Sequence, residues 1–211
     1  MSGFIRIIGG HWKRSRLPVP ERPGLRPTPD RVRETLFNWL GQSLTGWQVF
    51  DMFAGTGALG LEAASRGAAR VWLAEQDARL AAALQQHRQR LLGAQNPKNA
   101  QTPESAAPRS PAPPHIEVLR GDGIAALRQL APRCAGGLDL VFIDPPYAQP
   151  RLYLPALQAA AAALRPGGLL YLEADHPWAD RPELPASALA LRRHLKAGAV
   201  HAHLLQKQTR D

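Results

Sequence analysis

Short apolar segments alternate with segments of helical periodicity from about residue 47 to the end of the chain. This alternation constrains the fold strongly, because a strand, a helix and a parallel strand connect by a right-handed crossover that covers one face of a sheet. The strands are expected at Val49–Phe53, Val71–Ala74, Ile116–Leu119, Leu138–Ile143 and Leu169–Glu173, and the helices near 58–66, 77–92, 123–131 and 152–164. The pattern predicts an α/β fold with a mostly parallel sheet and helices on both faces.

Two further strands are expected near the C-terminus, at Ala188–Leu195 and Val200–Gln206, with a turn at Lys196–Gly198. An antiparallel pair at this place would close the sheet. The complete sheet would then have seven strands, mostly parallel, with an antiparallel C-terminal strand.

The segment at about 94–114 has a different composition, because it is rich in Pro, Ala, Ser and Gln and has almost no large apolar side chain. Such a segment cannot bury enough apolar surface to offset the entropy lost on ordering. We expect a disordered surface insertion within a catalytic domain that spans residues 41–211.

Residues 1–40 are expected to form a basic arm, a β-hairpin followed by a lead helix. The strand at Phe4–Ile8 ends in a turn at Gly9-Gly10, and Thr28 is placed to cap the helix with Pro29 at its first position. One helical face would then carry Val32, Leu36, Trp39 and Leu40, leaving Arg31, Arg33 and Glu34 toward solvent or a partner.

Positive charge is concentrated in this arm. Residues 1–33 hold eight basic and two acidic side chains, a net charge of +6 out of the total of +9. Such a field favours a polyanion, since each neutralised phosphate releases counterions, although a solvated basic face without a partner fits equally well. The candidate RNA contacts are Lys13, Arg14, Arg16, Arg26 and Arg31.

A glycine-rich loop, Asp51-Met-Phe-Ala-Gly55-Thr-Gly57-Ala-Leu-Gly60, follows the first of these strands and opens a helix. Glycines let a ligand approach the backbone, and the helix N-terminus offers free N–H donors. With Glu75 at the end of the next strand, the spacing also matches the dinucleotide fingerprint. The glycines alone therefore leave a nicotinamide cofactor and S-adenosylmethionine both open.

Carboxylates at three successive strand ends favour S-adenosylmethionine. Asp51 precedes the glycines, where it would repel a pyrophosphate and attract an ammonium or sulfonium group. Asp122, after the third strand, could accept a hydrogen bond from an adenine amine, and Glu75 could bind a ribose. This combination suits a cationic ligand with a ribose diol.

The segment Asp144-Pro145-Pro146-Tyr147 follows a buried strand and is the most specific feature of the sequence. A carboxylate and a rigid proline carbonyl can accept both N–H bonds of a base amine while its lone pair faces a methyl donor. These acceptors would also stabilise positive charge that grows on the nitrogen, and Tyr147 offers a face for an extruded base.

These motifs resemble those of the S-adenosylmethionine-dependent amino-methyltransferases, and within them the bacterial RsmD-like family that makes N2-methylguanine in 16S ribosomal RNA. The segments that carry the resemblance span nearly the whole chain: Arg6–Gly10, Leu25–Thr28, Asp30–Trp39, Asp51–Gly60 and Asp144–Tyr147. The insertion at 94–114 departs from the family. The resemblance implies a Rossmann-like methyltransferase fold and direct in-line methyl transfer to a flipped or single-stranded guanine.

The resemblance also implies roles for individual residues. It assigns Asp51, Gly55 and Gly57, with the neighbouring Phe53 and Ala54, to the methionine part of the cofactor. Glu75 would bind the ribose and Asp122 the adenine. The catalytic residues would be Asp144, Pro145, Pro146 and Tyr147.

Other functions remain open on the sequence alone: an adenine-N6 methyltransferase acting on DNA, a nicotinamide oxidoreductase, or a catalytically silent RNA-binding module. His201 and His203 would share a strand face, but with no third ligand nearby we expect no metal site. With a single cysteine and no long apolar run, the chain is expected to be cytoplasmic and to contact no membrane. We also expect a monomer. Its expected partner is 16S ribosomal RNA or an assembling small ribosomal subunit.

Overall fold

The computed structural model describes residues 3–20, 28–93, 113–178 and 181–209. The strands are β1 (Gly3–Arg6), β2 (Arg16–Val19), β3 (Gln48–Asp51), β4 (Arg70–Glu75), β5 (His115–Arg120), β6 (Leu138–Ile143), β7 (Leu164–Ala174), β8 (Leu189–Ala197) and β9 (Val200–Lys207). The helices are α1 (Asp30–Leu40), α2 (Gly60–Ser65), α3 (Ala78–Gly93), α4 (Gly123–Leu130), α5 (Tyr153–Ala163) and α6 (Glu183–Ala186).

The main sheet has seven strands in the order β5-β4-β3-β6-β7-β9-β8. Strands β3 to β7 pair in parallel, whereas β9 runs antiparallel to both of its neighbours. The predicted fold class is therefore confirmed, including the antiparallel strand near the C-terminus. Strand order reverses between β3 and β6, and open α/β sheets bind ligands at the carboxyl ends of the strands that flank such a point.

Two apolar clusters lie on opposite faces of the sheet. One packs α1, α2 and α3 with the hairpin against residues such as Val71, Leu140 and Phe142. The other packs α4 and α5 against residues such as Val141 and Leu170. Neighbouring residues of β6 fall into different clusters because strand side chains alternate between faces. Almost every side chain of this strand is buried, as in a sheet covered by helices on both sides.

The N-terminal hairpin of β1 and β2 docks on α2, the helix that follows the glycine loop. The amides of Ile8 and Trp12 donate to the side chains of Glu62 and Ser65 at 2.8 and 2.9 Å. Ser65 Oγ donates in turn to the Gly9 carbonyl at 2.6 Å. The arm is thus part of the same packed body as the residues predicted to bind the cofactor.

A buried ion network joins the arm, α1 and α2. The Glu62 side chain has no exposed surface, and its carboxylate accepts from Arg66 at 2.9 Å with Arg33 at 3.7 Å. The expectation that Arg33 faces solvent or a partner molecule is wrong, because its side chain is 1% exposed and also pairs with Asp30. Helical spacing could not reveal this, since the acidic partner Glu62 lies on another helix.

Thr28 does not cap the lead helix as expected. Pro29 is the N-cap of α1, and no side chain caps that end. The Thr28 hydroxyl instead donates to Asp144 Oδ2 at 3.3 Å. The helix begins one residue later than expected, so Thr28 stands before the N-cap position, and the fold brings a carboxylate within reach of its hydroxyl.

Three histidines lie together on β8 and β9, so the expectation that His201 and His203 lack a third neighbour is wrong. His194 stacks on both rings, and one nitrogen of each histidine lies within 4.8 Å of the others. His203 uses both of its nitrogens, one accepting from the Trp178 amide and one donating to the Leu172 carbonyl. Burial lowers the pKa of His203 to about 4, so this ring is neutral at physiological pH.

Two of the expectations fall outside the described residues. They concern nearly all of the insertion, residues 94–112, and Arg26 of the expected RNA surface. Among the helices described, none is long and apolar enough to cross a membrane.

Gly10 provides a test of how the arm is held. A Cβ there would lie 1.8 Å from the Ser65 carbonyl oxygen, and the residue has a φ of +71°. We expect Gly10→Ala to lower the free energy of unfolding by about 3 kcal/mol or more, the sum of left-handed strain and displaced backbone. Gly198→Ala is the matched control, with a φ of +63° in open space. Urea unfolding that gives equal losses for both variants would contradict the docking contact.

Candidate active site

A cavity of about 820 Å³ opens at the carboxyl ends of β3, β4, β6 and β7, where the strand order reverses. Its lining includes ten of the eleven predicted cofactor-binding and catalytic residues: Asp51, Phe53, Ala54, Gly55, Glu75, Asp122, Asp144, Pro145, Pro146 and Tyr147. Gly57 is not part of this lining. The glycine loop and the Asp144–Tyr147 segment, which are far apart in sequence, therefore line the same cavity.

The glycine loop is held by the acids that flank it. Glu75 accepts from the Gly55 amide at 2.8 Å with one oxygen and from the Asp77 amide at 2.7 Å with the other. Asp51 Oδ2 accepts from the Gly60 amide at 3.0 Å. Glu75 and Asp51 thus fix the loop between β3 and α2 while they line the cavity.

Gly57 has a packing role. Its φ is +81°, and a Cβ there would lie 2.6 Å from Leu84 and 2.7 Å from Leu61. A side chain would therefore displace these two leucine side chains, which belong to α3 and α2. The spacing of the glycines made Gly57 a candidate for cofactor contact, but that spacing also results from close helix packing.

The carboxyl group of Asp51 is buried without full compensation. Its Oδ1 atom has no well-formed hydrogen bond, and the side chain is 1% exposed. Burial, and to a lesser extent the negative charge of Glu75, raises its pKa to about 7. A positive ligand group in the cavity would remove this penalty.

Asp122 stands at the start of α4, where its side chain accepts from the Ala125 amide at 2.7 Å. The residue is exposed and lines the cavity. One carboxylate oxygen therefore serves as the helix cap, and the remaining acceptor capacity faces the cavity.

The Asp144-Pro-Pro-Tyr segment leaves the end of β6 at the opposite wall. Asp144 is half-buried, and its Oδ2 atom accepts from the Thr28 hydroxyl at 3.3 Å. Burial raises the pKa of Asp144 well above its usual range, with Glu173 and Asp51 as further causes. A carboxyl group with a raised pKa accepts a proton more readily once ionised.

Glu173, at the end of β7, was missed by the sequence reasoning. It is 5% exposed and lines the cavity, and it accepts from the hydroxyls of Tyr147 at 3.1 Å and Tyr171 at 3.0 Å. The sequence contained a signal for Glu173, because this acid directly follows the apolar run Leu169–Leu172. The strand that contains the run lies beside the strand that precedes Asp144.

The described basic candidates lie outside the cavity. Lys13, Arg14 and Arg16 are exposed on the hairpin, where Arg16 covers the half-exposed ring of Phe4 at 3.5 Å. Arg31 is exposed at the start of α1. Arg151, which the sequence reasoning did not select, is exposed and lines the cavity.

Comparison with known proteins gives the chain its family. Residues 5–206 match the model of the family described as Conserved hypothetical protein 95. The chain belongs to this family. Relatives named ribosomal RNA small subunit methyltransferase D include those of Escherichia coli, 38% identical over 98% of this chain and 92% of the relative, and Haemophilus influenzae, 34% identical over 97% and 94%. This member of the family is therefore a methyltransferase.

Solved structures agree with this assignment. The Escherichia coli protein yhhF has a TM-score of 0.71 and 31% identity, covering 98% of this chain and 99% of its own. HI0767 of Haemophilus influenzae has a TM-score of 0.68 and 29% identity, covering 98% and 100%. SMU.776, solved with SAH, shares only the fold, with a TM-score of 0.56, 16% identity and coverage of 87% and 50%. The methyltransferase thus has the Rossmann-like fold that its sequence predicts.

The raised pKa of Asp51 leads to a stability test. Because its pKa rises on folding to about 7, the protonated form stabilises the folded chain, and this contribution is lost as the pH rises toward 7. Asp51→Asn retains an acceptor for Gly60 but does not titrate. Between pH 5 and pH 8, the free energy of unfolding of wild type should therefore fall by about 3 kcal/mol relative to that of the variant. Urea unfolding at several pH values measures this difference, and parallel curves would contradict the burial of the charge.

Proposed function

We propose that this methyltransferase transfers a methyl group from S-adenosylmethionine to the exocyclic N2 amine of a guanine in 16S ribosomal RNA. One observation carries the proposal: the acids around the glycine loop and the Asp144-Pro-Pro-Tyr segment line the same cavity. A methyl donor and an amine can therefore meet inside it. The relatives' names support the RNA substrate over DNA.

The cavity fits the proposed cofactor chemically. The buried, incompletely bonded Oδ1 of Asp51 suits the ammonium group of the methionine part, which would bring the missing positive charge. Glu75 would accept from the ribose hydroxyls and Asp122 from the adenine amine, while Gly55 with Phe53 and Ala54 would form the backbone wall. The fold neighbour SMU.776 was solved with SAH, which supports a cofactor of this class.

The chain's own residues would orient the amine. When bound, S-adenosylmethionine supplies a methyl group on a sulfonium centre. The Asp144 carboxylate and the Pro145 carbonyl would accept the two N–H bonds of the amine and leave its lone pair facing that methyl. Pro145 and Pro146 keep the acceptors rigid because their ring geometry fixes the backbone. Most of the acceleration would come from this alignment.

Asp144 would also receive the proton. As the new C–N bond forms, the nitrogen becomes positive and releases one of its protons to the Asp144 carboxylate, while the C–S bond breaks. The surroundings that raise the pKa of Asp144 strengthen it as a proton acceptor. Thr28 would hold its Oδ2 during the transfer.

Tyr147 would provide the stacking face. Its ring is half-buried, and its hydroxyl donates to Glu173, which fixes the ring at the cavity wall. A base that leaves its helix needs such a surface to replace lost stacking. Catalysis would thus need a flipped or single-stranded guanine and no covalent enzyme intermediate.

Residues 1–40 would contact the RNA, and residues 41–211 would perform the chemistry. The exposed cations of the hairpin and the exposed Arg31 support this division. Arg151, which is exposed and lines the cavity, would add a cation there. Because the arm is bonded to α2, it would present RNA in a fixed orientation relative to the cavity.

Replacing Asp144 tests the proposed chemistry. Asp144→Ala removes an acceptor and the proton-accepting group, so the single-turnover rate on small-subunit ribosomal RNA should fall ~10²-fold or more. Asp144→Asn keeps an acceptor oxygen and should be less impaired if orientation dominates. Both variants should bind S-adenosylmethionine with wild-type affinity, measured by calorimetry. Wild-type transfer rates for Asp144→Ala, or methyl groups found on adenine rather than on guanine N2 by mass spectrometry, would contradict the proposal.

Neutralising the hairpin tests the RNA surface. Lys13→Gln, Arg14→Gln and Arg16→Gln together should weaken RNA binding and flatten its salt dependence by up to roughly one log-log unit per lost phosphate contact. The matched control removes the same charge from exposed arginines outside the arm, through Arg128→Gln, Arg133→Gln and Arg192→Gln. Filter binding at several salt concentrations compares the two. If both triple variants lost the same RNA affinity and the same salt dependence, net charge alone would determine RNA binding, and the hairpin would not be the RNA surface.

A further inference from the structure

We propose that Glu173 selects guanine, by accepting the N1–H of the base while Asp144 accepts from the N2 amine. This inference rests on the proposed function and adds the residue that sets its base specificity. The Asp144-Pro-Pro-Tyr segment by itself addresses only an amine, which adenine and cytosine also carry.

The sheet places the two carboxylates side by side. Strands β6 and β7 are parallel, and Ile143 lies opposite Leu172 in their register. The next residues are Asp144, just beyond the end of β6, and Glu173, next to last in β7, so both stand at the carboxyl ends of these strands and both line the cavity. Their separation in sequence hides this pairing, which the strand register alone creates.

Glu173 is held in place by two hydroxyl donors. Tyr147 donates to its Oε1 and Tyr171 to its Oε2, from the cavity wall and from the core respectively. A carboxylate oxygen has more than one acceptor position, so an oxygen that accepts from a tyrosine hydroxyl can also accept from an N–H group. Burial raises the pKa of the Tyr147 hydroxyl, which keeps it protonated and therefore a donor.

Two adjacent acceptors match the guanine edge and no other amine-bearing base. Guanine presents N1–H and the N2 amine next to each other, both as donors. Adenine presents its N6 amine next to an N1 lone pair, and cytosine its N4 amine next to an N3 lone pair. Either base would set a lone pair against the Glu173 carboxylate, and repulsion of this kind excludes a wrong ligand effectively.

The electrostatics of the cavity favour the same contact. Asp144, Glu173 and Asp51 lie close enough for the last two to raise the pKa of Asp144, after the larger effect of burial. Neighbouring buried carboxylates repel each other unless donors lie between them. A guanine edge would bring donors to both Asp144 and Glu173.

The experiment uses the base analogue 2-aminopurine, which keeps the 2-amino group but has a lone pair at N1. The guanine methylated by wild-type enzyme is first mapped in small-subunit ribosomal RNA, and RNA is then made with guanine or 2-aminopurine there. Wild type should methylate guanine ~10²-fold faster or more, as a site built around a hydrogen bond rejects the analogue that lacks it. Equal rates on both would overturn the proposal.

Glu173→Gln should reduce the preference for guanine over 2-aminopurine to within ~10-fold, because the glutamine amide can donate to the N1 lone pair of 2-aminopurine. Tyr171→Phe is the matched control, since it removes one bond to Glu173 but leaves the carboxylate. It should keep the wild-type preference. A preference that is unchanged in Glu173→Gln, or lost equally in both variants, would contradict a direct contact with the base.

The two proposals fail differently. If wild type methylates no guanine in the ribosomal RNA, the proposed function fails at the mapping step. If it does methylate guanine and the analogue ratio does not depend on Glu173, only the specificity role fails. Calorimetry with S-adenosylmethionine should give wild-type affinity for Glu173→Gln, and a loss of that affinity would mean that Glu173 acts on cofactor binding instead.

Discussion

The buried carboxylate of Glu62 connects the parts of this protein that act together. Its charge is compensated by Arg66 at the end of the same helix, by the Ile8 amide of the arm and by Arg33 on α1. Removing one partner of a buried ion network leaves an uncompensated charge, which is far more unfavourable than losing a surface pair. The arm, α1 and the helix after the glycine loop are therefore one structural unit.

This coupling explains why the arm contributes to the cavity as well as to the surface. With α1 held against α2, the residues that precede α1 reach the end of β6, so that Thr28 and Pro29 line the cavity and Thr28 bonds Asp144. A basic segment that only bound RNA would not need such contacts. The same packing that orients the exposed cations also completes the surroundings of the proposed catalytic carboxyl group.

The cavity concentrates acidic groups in a chain whose net charge is +9. Asp51, Glu75, Asp144 and Glu173 line it, while the exposed cations of the arm lie outside it. The two regions suit different parts of the proposed reaction. A cationic methyl donor and N–H groups of a base are complementary to the acids, and phosphates of the RNA backbone are complementary to the arm.

The sequence by itself determined the order of strands and helices, the glycine loop and the approximate places of β3 to β7, because hydrophobic periodicity and turn residues act over a few neighbours. The bounds differ, since β7 begins at Leu164 and not at Leu169 as expected. It also determined that Asp51, Glu75 and Asp144 stand at strand ends. Only the tertiary structure decided the partners of Thr28 and Arg33, the place of His194 beside His203, and the pairing of Glu173 with Asp144. A polar side chain bonds whatever group the packing brings within about 3 Å, and strand register and helix docking set that distance.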